Sequence, residues 1–336
     1  MFSKMPQVPR KDELLNKAFS HARTVKKTID PHDRINSIRE YEQNKINTSS
    51  TVINTTLHNI LAKTPQTSEL DEFYQNLVAL VIDINQFKKS LAALKWAIGF
   101  NKELEHKYRR RIKGAPLKSI APIRKEYYGR LSSVVKQIQD DLIFLEECRK
   151  VLKKLPILKN LPTVVIAGYP NVGKSSLLKS LTGAEPEIKN YPFTTKKILV
   201  GSIDEKVQMI DTPGLLDRLP DERNQIERHA MLALRYKAGL ILFLIDATES
   251  CGYPLAKQAL LCEHISREFK NIPIIICMTK SELLKEKDSK KNALGNTIYI
   301  SSKTGENIEL LRKLLLRSVD WKTYQFRIKD KSDFGQ

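Results

Sequence analysis

Cysteine is scarce in this chain, with four residues in 336 (Cys148, Cys251, Cys262 and Cys277) and no CxxC pair. That spacing excludes a zinc framework and a disulfide-stapled fold, and it fits buried thiols in a reducing compartment. Long apolar runs are missing too. The longest, Gly239–Ile245 and Ile272–Met278, cover seven residues each, against the roughly 20 that a membrane-spanning helix requires. The opening stretch MFSKMPQVPRKDELL has no apolar core, so no secretory signal is expected, and the expectation is a cytoplasmic protein without a membrane partner. Negative charge is in short supply: 57 Lys and Arg face 38 Asp and Glu, a net charge of +19. Residues 1–160 hold 30 of those cations against 17 acids, and the remainder holds 27 against 21. Such an excess points to an acidic partner, most often nucleic acid, although solvated helix faces are the plainer alternative. Wholesale disorder is excluded by an apolar content of 41%, and the length suits two domains.

The first half reads as helical. Apolar residues fall at Leu77, Leu80, Val81, Ile84, Phe87, Leu91, Leu94 and Ile98, and again at Leu131, Val134, Val135, Ile138, Leu142, Leu145, Cys148 and Leu152. Steps of three and four place each set on one helix face, and two such stripes predict an antiparallel bundle. The stretch GAPLKSIAP, residues 114–122, is expected to break the helices. Further helices are expected over about 11–29 and 33–61, the second following DPHD, where Asp30 and Asp33 suit caps or turns. Trp96 lies beside the first stripe, which favours packing over contact with nucleic acid.

The pattern changes around LPILKNLP, residues 155–162. Short β-branched runs then alternate with helix-length segments: TVVIA (163–167), VQMI (207–210), LILFLI (240–245), PIIICM (273–278) and TIYI (297–300). This alternation predicts a doubly wound, mostly parallel α/β sheet, with ligands at the carboxyl ends of the strands. The expected division is a basic all-α helical bundle domain at 1–158, an α/β P-loop domain at 159–320 and a short tail at 321–336.

The motifs follow those strand ends. GYPNVGKSS, residues 168–176, fits GxxxxGK[ST]. Its backbone N–H groups across Asn171, Val172, Gly173, Lys174, Ser175 and Ser176 would wrap a β-phosphate, Lys174 would reach the β/γ oxygens, and the Ser175 hydroxyl would ligate Mg²⁺. DTPG (211–214) sets Asp211 towards Mg²⁺ and the Gly214 amide towards a γ-phosphate. In NYPFTTK (190–196), Thr195, with Thr194 as the alternative, would supply a second hydroxyl to Mg²⁺ and an amide to the γ-phosphate. The candidate catalytic set is therefore Lys174, Thr195 and Gly214, and the candidate metal ligands are Ser175, Thr195 and Asp211.

Base identity is expected after the later strands. TKSE (279–282) stands where many GTPases carry Asn-Lys-x-Asp. Glu282 can accept from guanine N1–H and N2–H₂, the Lys280 stem can cover the base, and Thr279 keeps a hydroxyl to tie loops together. SSK (301–303) would bring the Ser302 amide to guanine O6, with Ser301 shaping the turn and Lys303 under the base. Together these favour GTP and GDP over ATP. One absence bears on rate: many GTPases orient the attacking water with a glutamine just after DTPG, and here that place is Leu215. Slow intrinsic hydrolysis is expected. His229 and His264 read as helix-surface residues rather than general bases.

GYPNVGKSS, YPFTT, DTPGLLDR, ERNQIERHAMLALR and CGYPL resemble the Nog family of nucleolar GTP-binding proteins, relatives of Obg and Drg. The resemblance continues upstream through KMPQVPRKDELLNKAFSHAR and FKKSLAALKWAIGFNKELEHKYRRRI, covering about residues 4–320. TKSE departs from that family's usual guanine motif. The missing C-terminal extension is similar to the short archaeal form. The resemblance implies a slow GTPase that binds a precursor of the large ribosomal subunit through ribosomal RNA, with ribosomal proteins as further partners. It also places Leu215 among relatives that carry a hydrophobic residue there. Asn171 resembles P-loop asparagines of GTPases that hold K⁺ beside the phosphates, so K⁺ joins Mg²⁺ as a candidate cofactor. Expected RNA contacts are Lys107, Arg109, Arg110, Arg111, Lys113, Arg124, Lys125 and Arg130, interleaved with Tyr108, Tyr127 and Tyr128. The plainer alternative puts the tyrosines on the core side of their helices, and a monomer is expected. The competing readings are a nucleotide-gated protein-interaction switch that binds no RNA, and an ATPase.

Overall fold

The computed structural model describes residues 2–192, 197–219, 225–284, 297–320 and 325–326. Thr194 and Thr195 lie outside the described residues, as does the 321–336 tail apart from residues 325 and 326. The chain forms two compact units, Met1–Glu69 with Val81–Lys153, and Leu70–Leu80 with Lys154–Gln336.

The first unit is a helical bundle. Its helices are α1 (Lys11–Arg23), α2 (Arg34–Lys63), α4 (Ile84–Lys113), α5 (Leu117–Gln137) and α6 (Gln139–Leu152), with α3 (Glu72–Val81) grouped mainly with the second unit. Asp33 sits at the N-cap of α2, and Asp30 accepts the His32 N–H at 2.8 Å in the turn before it. α4 is the spine, packed on α2, α5 and α6. Its buried face is Phe87, Ser90, Leu94, Ala97, Asn101, Leu104, Tyr108 and Ile112. Three polar side chains in that face are satisfied internally. Ser90 donates to Asp141 at 2.7 Å, Asn101 accepts from the Tyr127 hydroxyl at 3.1 Å and donates to Asn54 at 3.0 Å, and Tyr108 donates to Glu126 at 2.7 Å. Each buried partnership avoids the cost of an unsatisfied polar group, about 1–3 kcal/mol.

Several expectations about the bundle are corrected. The Leu77–Ile98 stripe is not one helix: it is cut at residues 82–83, where the Asp83 carboxylate accepts the Asn85 and Gln86 N–H groups and starts α4. Leu77 and Leu80 therefore belong to the second unit, with Phe87, Leu94 and Ile98 in the first. The Leu131–Leu152 stripe is also divided, by a break at Ile138 between α5 and α6. The GAPLKSIAP break is only residues 114–116. Pro116 caps α5, and Pro122, its sixth residue, is accommodated within it at the loss of one i→i−4 hydrogen bond. Trp96 does not pack in the core: it is 44% exposed.

The second unit holds a seven-stranded sheet in the order β2-β3-β4-β1-β5-β6-β7. The strands are β1 (Thr163–Ala167), β2 (Glu187–Lys189), β3 (Ile198–Ile203), β4 (Val207–Asp211), β5 (Leu240–Asp246), β6 (Ile274–Thr279) and β7 (Thr297–Tyr299). The five expected strands are present and pair in parallel, while β2 and β3, which the sequence did not flag, add an antiparallel edge. β1, β4 and β5 are buried along their whole lengths, as expected for parallel strands covered on both faces. The connecting helices are α7 (Lys174–Thr182), α8 (Gln225–Leu234), α9 (Leu255–Glu268) and α10 (Ile308–Arg317). Tyr74 of α3 is part of this unit, donating to Pro156 O at 3.1 Å and accepting the Leu158 N–H at 2.8 Å. β1 lies between β4 and β5, the reversal of winding at which such sheets open a crevice.

Candidate nucleotide site and cationic face

The crevice is framed by the loop after β1. Gly168 has φ +135°, and a Cβ there would lie 2.5 Å from the Leu244 carbonyl oxygen of β5, so only glycine lets the loop turn this tightly. Asn171 (φ 63°) and Gly173 (φ 100°) are also left-handed, which turns successive N–H groups inward as an anion nest at the N-terminus of α7. Val172 is fully buried and pins the loop from below. Lys174 is 7% exposed and donates to the Gly168 and Tyr169 carbonyls, both at 2.7 Å. The Asn171, Ser175 and Ser176 side chains are exposed at the loop mouth.

Beside it, β4 ends on Asp211. Ser175 Oγ donates to Asp211 Oδ2 at 2.7 Å. Asp211 Oδ1 and the neighbouring Thr212 Oγ1 are buried without a hydrogen-bond partner. Burial raises the Asp211 carboxyl above its ordinary range, an effect that Ser175 and Lys174 only partly offset. The Ser175 hydroxyl and the buried Asp211 carboxylate, one of whose oxygens has no partner, are hard-oxygen donors that suit Mg²⁺. Past Asp211, the Gly214 N–H donates to Asp217 Oδ2 at 2.8 Å, and the Gly214 carbonyl accepts from Arg218 at 3.0 Å. Leu215 is 0% exposed, so it is a core residue of the loop. Tyr191, at the head of the segment leading to Thr195, is buried and donates to Ala230 O of α8 at 2.8 Å. The side chain of His229 is outside the described residues, and His264 is half-buried on α9.

At the far end of the crevice, Lys280 is left-handed (φ 59°). Its ammonium reaches Asp246 Oδ2 at 2.7 Å and Ser250 Oγ at 2.8 Å. Thr279 Oγ1 donates to Ile245 O at 3.3 Å, tying β6 to β5. Glu282 is exposed in the following turn, where Ser281 donates to Glu306 at 2.6 Å. Ser301 is buried, and its hydroxyl accepts the Lys303 and Thr304 N–H groups at 3.2 and 3.0 Å, so it holds the SSK turn internally while Lys303 stays exposed. Asp246 was missed by sequence reasoning. It is fully buried and accepts from Thr248, Ser250, Cys251 and Lys280. Burial alone would raise its pKa, but the bonds from Lys280, Thr248 and Ser250 outweigh that and lower it. The signal was an Asp closing an apolar strand with hydroxyl residues two and four positions on, an Asx-turn pattern. Tyr169 of the β1 loop stacks on Tyr253 of the β5–α9 loop at 4.1 Å between centroids, and neither had been singled out.

The cationic face divides into paired and exposed groups. Arg111 makes a bidentate pair with Glu126 at 3.0 and 2.9 Å and lies over the Tyr108 ring at 4.8 Å. Arg124 pairs with Glu42, and Arg109 with Glu105 at 3.3 Å. Tyr108 and Tyr127 are core residues, and Tyr128 is half-buried. Lys107, Arg110, Lys113, Lys125 and Arg130 are exposed. A cleft of about 530 Å³ between α2 and α4 brings Arg109, Arg110 and Lys113 together with His106, Arg39 and Gln43. Arg39 and Gln43 come from a helix whose cations are sparse, so sequence clustering could not select them.

Comparison with known proteins places both halves. Residues 2–158 match the model of the NOG1 N-terminal helical domain, and residues 163–280 match that of the 50S ribosome-binding GTPase. An uncharacterized protein of Methanocaldococcus jannaschii is 46% identical over 85% of this chain and 82% of its own length. Nucleolar GTP-binding protein 1 of Kluyveromyces lactis is 32% identical over 84% of this chain, which spans 45% of that longer protein. A crystal structure described as a candidate nucleolar GTP-binding protein 1 of Plasmodium falciparum is 33% identical, covering 48% of this chain and 87% of its own, with a TM-score of 0.40.

Proposed function

Because the chain belongs to the NOG1 family of GTP-binding proteins and carries a GTPase domain, we propose that it is a GTP-controlled assembly factor of the large ribosomal subunit. In this reading residues 159–320 bind and slowly hydrolyse GTP, and residues 1–158 attach to ribosomal RNA of a pre-ribosomal particle. The observation that carries it is Ser175 bound to Asp211 at the mouth of the nest, with Asp211 Oδ1 and Thr212 Oγ1 buried and unpartnered. Ser175 and Asp211, joined by Thr195, would hold Mg²⁺, which supplies positive charge against the β- and γ-phosphate oxygens. The amides from Asn171 to Ser176 cradle the phosphates, and Lys174 exchanges its two loop carbonyls for phosphate oxygens. At the base, Glu282 accepts from guanine, Lys280 covers the ring, and Thr279 and the SSK turn frame it.

Leu215 is buried, so the attacking water must be oriented by backbone, by another residue or by the bound particle, which supports slow intrinsic turnover. The exposed Asn171 is free to take K⁺ at the loop mouth. Equal hydrolysis in Na⁺ and K⁺ would remove that ion from the scheme. No described helix is long and apolar enough to cross a membrane. In this reading the protein is a cytoplasmic monomer. The test is co-sedimentation with large subunits and their precursors in GTP analogue, GDP and no nucleotide. Attachment that depends on nucleotide and falls steeply with salt supports the proposal. Attachment indifferent to nucleotide defeats the switch, and a flat salt response defeats the RNA contact in favour of a protein-interaction switch.

A further inference from the structure

Opposite its buried face, α4 carries a second stripe: Lys89, Trp96, Phe100, Lys107 and Arg110. Their spacings of seven, four, seven and three residues keep them on one side of a 3.6-residue helix. All five are exposed. The two aromatics stand out because the other large aromatics of this helix are spent on the core. Phe87 is 1% exposed and Tyr108 2%, whereas Trp96 is 44% and Phe100 39%. The Trp96 and Phe100 rings stack on each other, 5.4 Å between centroids and 19° between planes. They present flat π-surface to solvent with cations on either side along the helix. Lys89 to Arg110 spans about 31 Å at 1.5 Å per residue, the length of several nucleotides. Glu103 also lies on this side, and Arg110 leads into the α2–α4 cleft.

We propose that this face of α4 is a stacking platform for unpaired RNA bases, with Trp96 and Phe100 extending the base stack and Lys89, Lys107 and Arg110 holding the flanking phosphates. This deepens the RNA-attachment reading and rests on it. The chemistry selects unpaired RNA over the alternatives. A-form duplex keeps its bases stacked inside and offers no free π-face. A protein–protein interface favours Trp, Phe and Arg but is depleted of lysine, whereas two of the three cations bracketing these rings, Lys89 and Lys107, are lysines. A π-stack alternating with backbone cations is how single strands are bound with little sequence preference.

Trp96 is one of only two tryptophans in the chain, the other being Trp321, so it can report on its own contact. In the full chain carrying Trp321→Phe, an unpaired RNA oligomer is expected to quench Trp96 emission, and a duplex of the same length is not. Trp96→Ala and Phe100→Ala are each expected to weaken single-strand binding about tenfold while leaving its salt slope unchanged. Trp96→Phe should retain most of the affinity, which separates stacking from any loss of fold. The pair Lys107→Ala with Arg110→Ala should lower the slope of log K on log salt by about 1.4. If the chain binds RNA with a steep salt dependence but Trp96 emission does not move and Trp96→Ala binds normally, the platform is overturned and the RNA reading stands. If no RNA binds at all, both fall. If a large-subunit protein moves Trp96 emission and RNA does not, the platform is overturned in favour of a protein contact.

Discussion

Lys280 donates to the buried Asp246 carboxylate across 2.7 Å, so the cation of TKSE is held by the acid that closes β5. Lys280 is thereby fixed in a left-handed backbone at the mouth where a base would lie. Asp246 is a positioning residue in this arrangement, and removing its charge frees the lysine stem. Asp246→Asn is expected to weaken guanine-nucleotide affinity about tenfold, the worth of one charge-assisted bond of about 1.5 kcal/mol. Titration with a fluorescent GDP reads this directly. Lys280→Ala should give a similar loss, and the two losses should not add. Additive losses would mean that Asp246 acts on the site by some other route.

A second expectation concerns the Gly214 amide, which donates to Asp217 Oδ2 at 2.8 Å. A γ-phosphate meeting that amide must displace the carboxylate. GDP makes no such demand. Asp217→Ala is therefore expected to raise affinity for a GTP analogue relative to GDP by up to about tenfold, one hydrogen bond to a charged group. Asp217→Asn, which still accepts, should fall between. Competition binding of the two nucleotides measures the ratio, and an unchanged ratio would show that the amide does not contact the γ-phosphate.

The loop after β1 was legible in the sequence because backbone geometry dictates its residues. Gly168 and Gly173 stand where Cβ or φ forbids others, and Ser175 in the first turn of α7 meets Asp211 at the end of β4 at 2.7 Å. The strands were legible for a similar reason, since buried parallel strands leave continuous apolar runs. β2 and β3 were not, because Glu187–Lys189 is largely exposed and Ile198–Ile203 half-buried, so neither leaves such a run. In the bundle, periodicity reported apolar faces correctly but could not see that Leu77 and Phe87 serve different cores. The break between them is a single capping aspartate, Asp83. Trp96 was misjudged because adjacency to a stripe was taken for membership of it.

Electrostatics supply a third expectation. Glu126 is held at a pKa of about 2, chiefly by the hydrogen bond from Arg111 and then by that from Tyr108. Its ordinary value is about 4.3. A depressed folded pKa stabilises the protein above the unfolded value, and the contribution disappears as pH falls from about 4.3 towards 2. The carboxyl resonance of Glu126 should accordingly show an ionised side chain at pH 3. Arg111→Ala should move its titration back towards the ordinary range. A Glu126 that titrates near 4.3 in the intact protein would mean that the bidentate pair does not persist in solution.

The buried Tyr127–Asn101 bond makes the sharpest stability test, because the tyrosine is 0% exposed and burial raises its pKa further above its ordinary value. It therefore stays a neutral donor throughout the working range, and the bond has no pH dependence to confuse the measurement. Tyr127→Phe removes the hydroxyl and leaves Asn101 Oδ1 buried with a lost donor. The expected cost is about 1–3 kcal/mol, the desolvation of an unsatisfied acceptor rather than the net worth of one hydrogen bond. Asn101→Leu alone takes one acceptor from the Tyr127 hydroxyl, which still has Ser49 and Ser50 beside it, and should cost less. The double variant removes both ends of the bond, so its loss should be smaller than the sum of the singles by about 1 kcal/mol or more. Urea unfolding of the full chain with an unchanged slope reads each value. Strict additivity would show that the two side chains do not depend on one another, and that α4 and α5 are joined here by apolar packing alone.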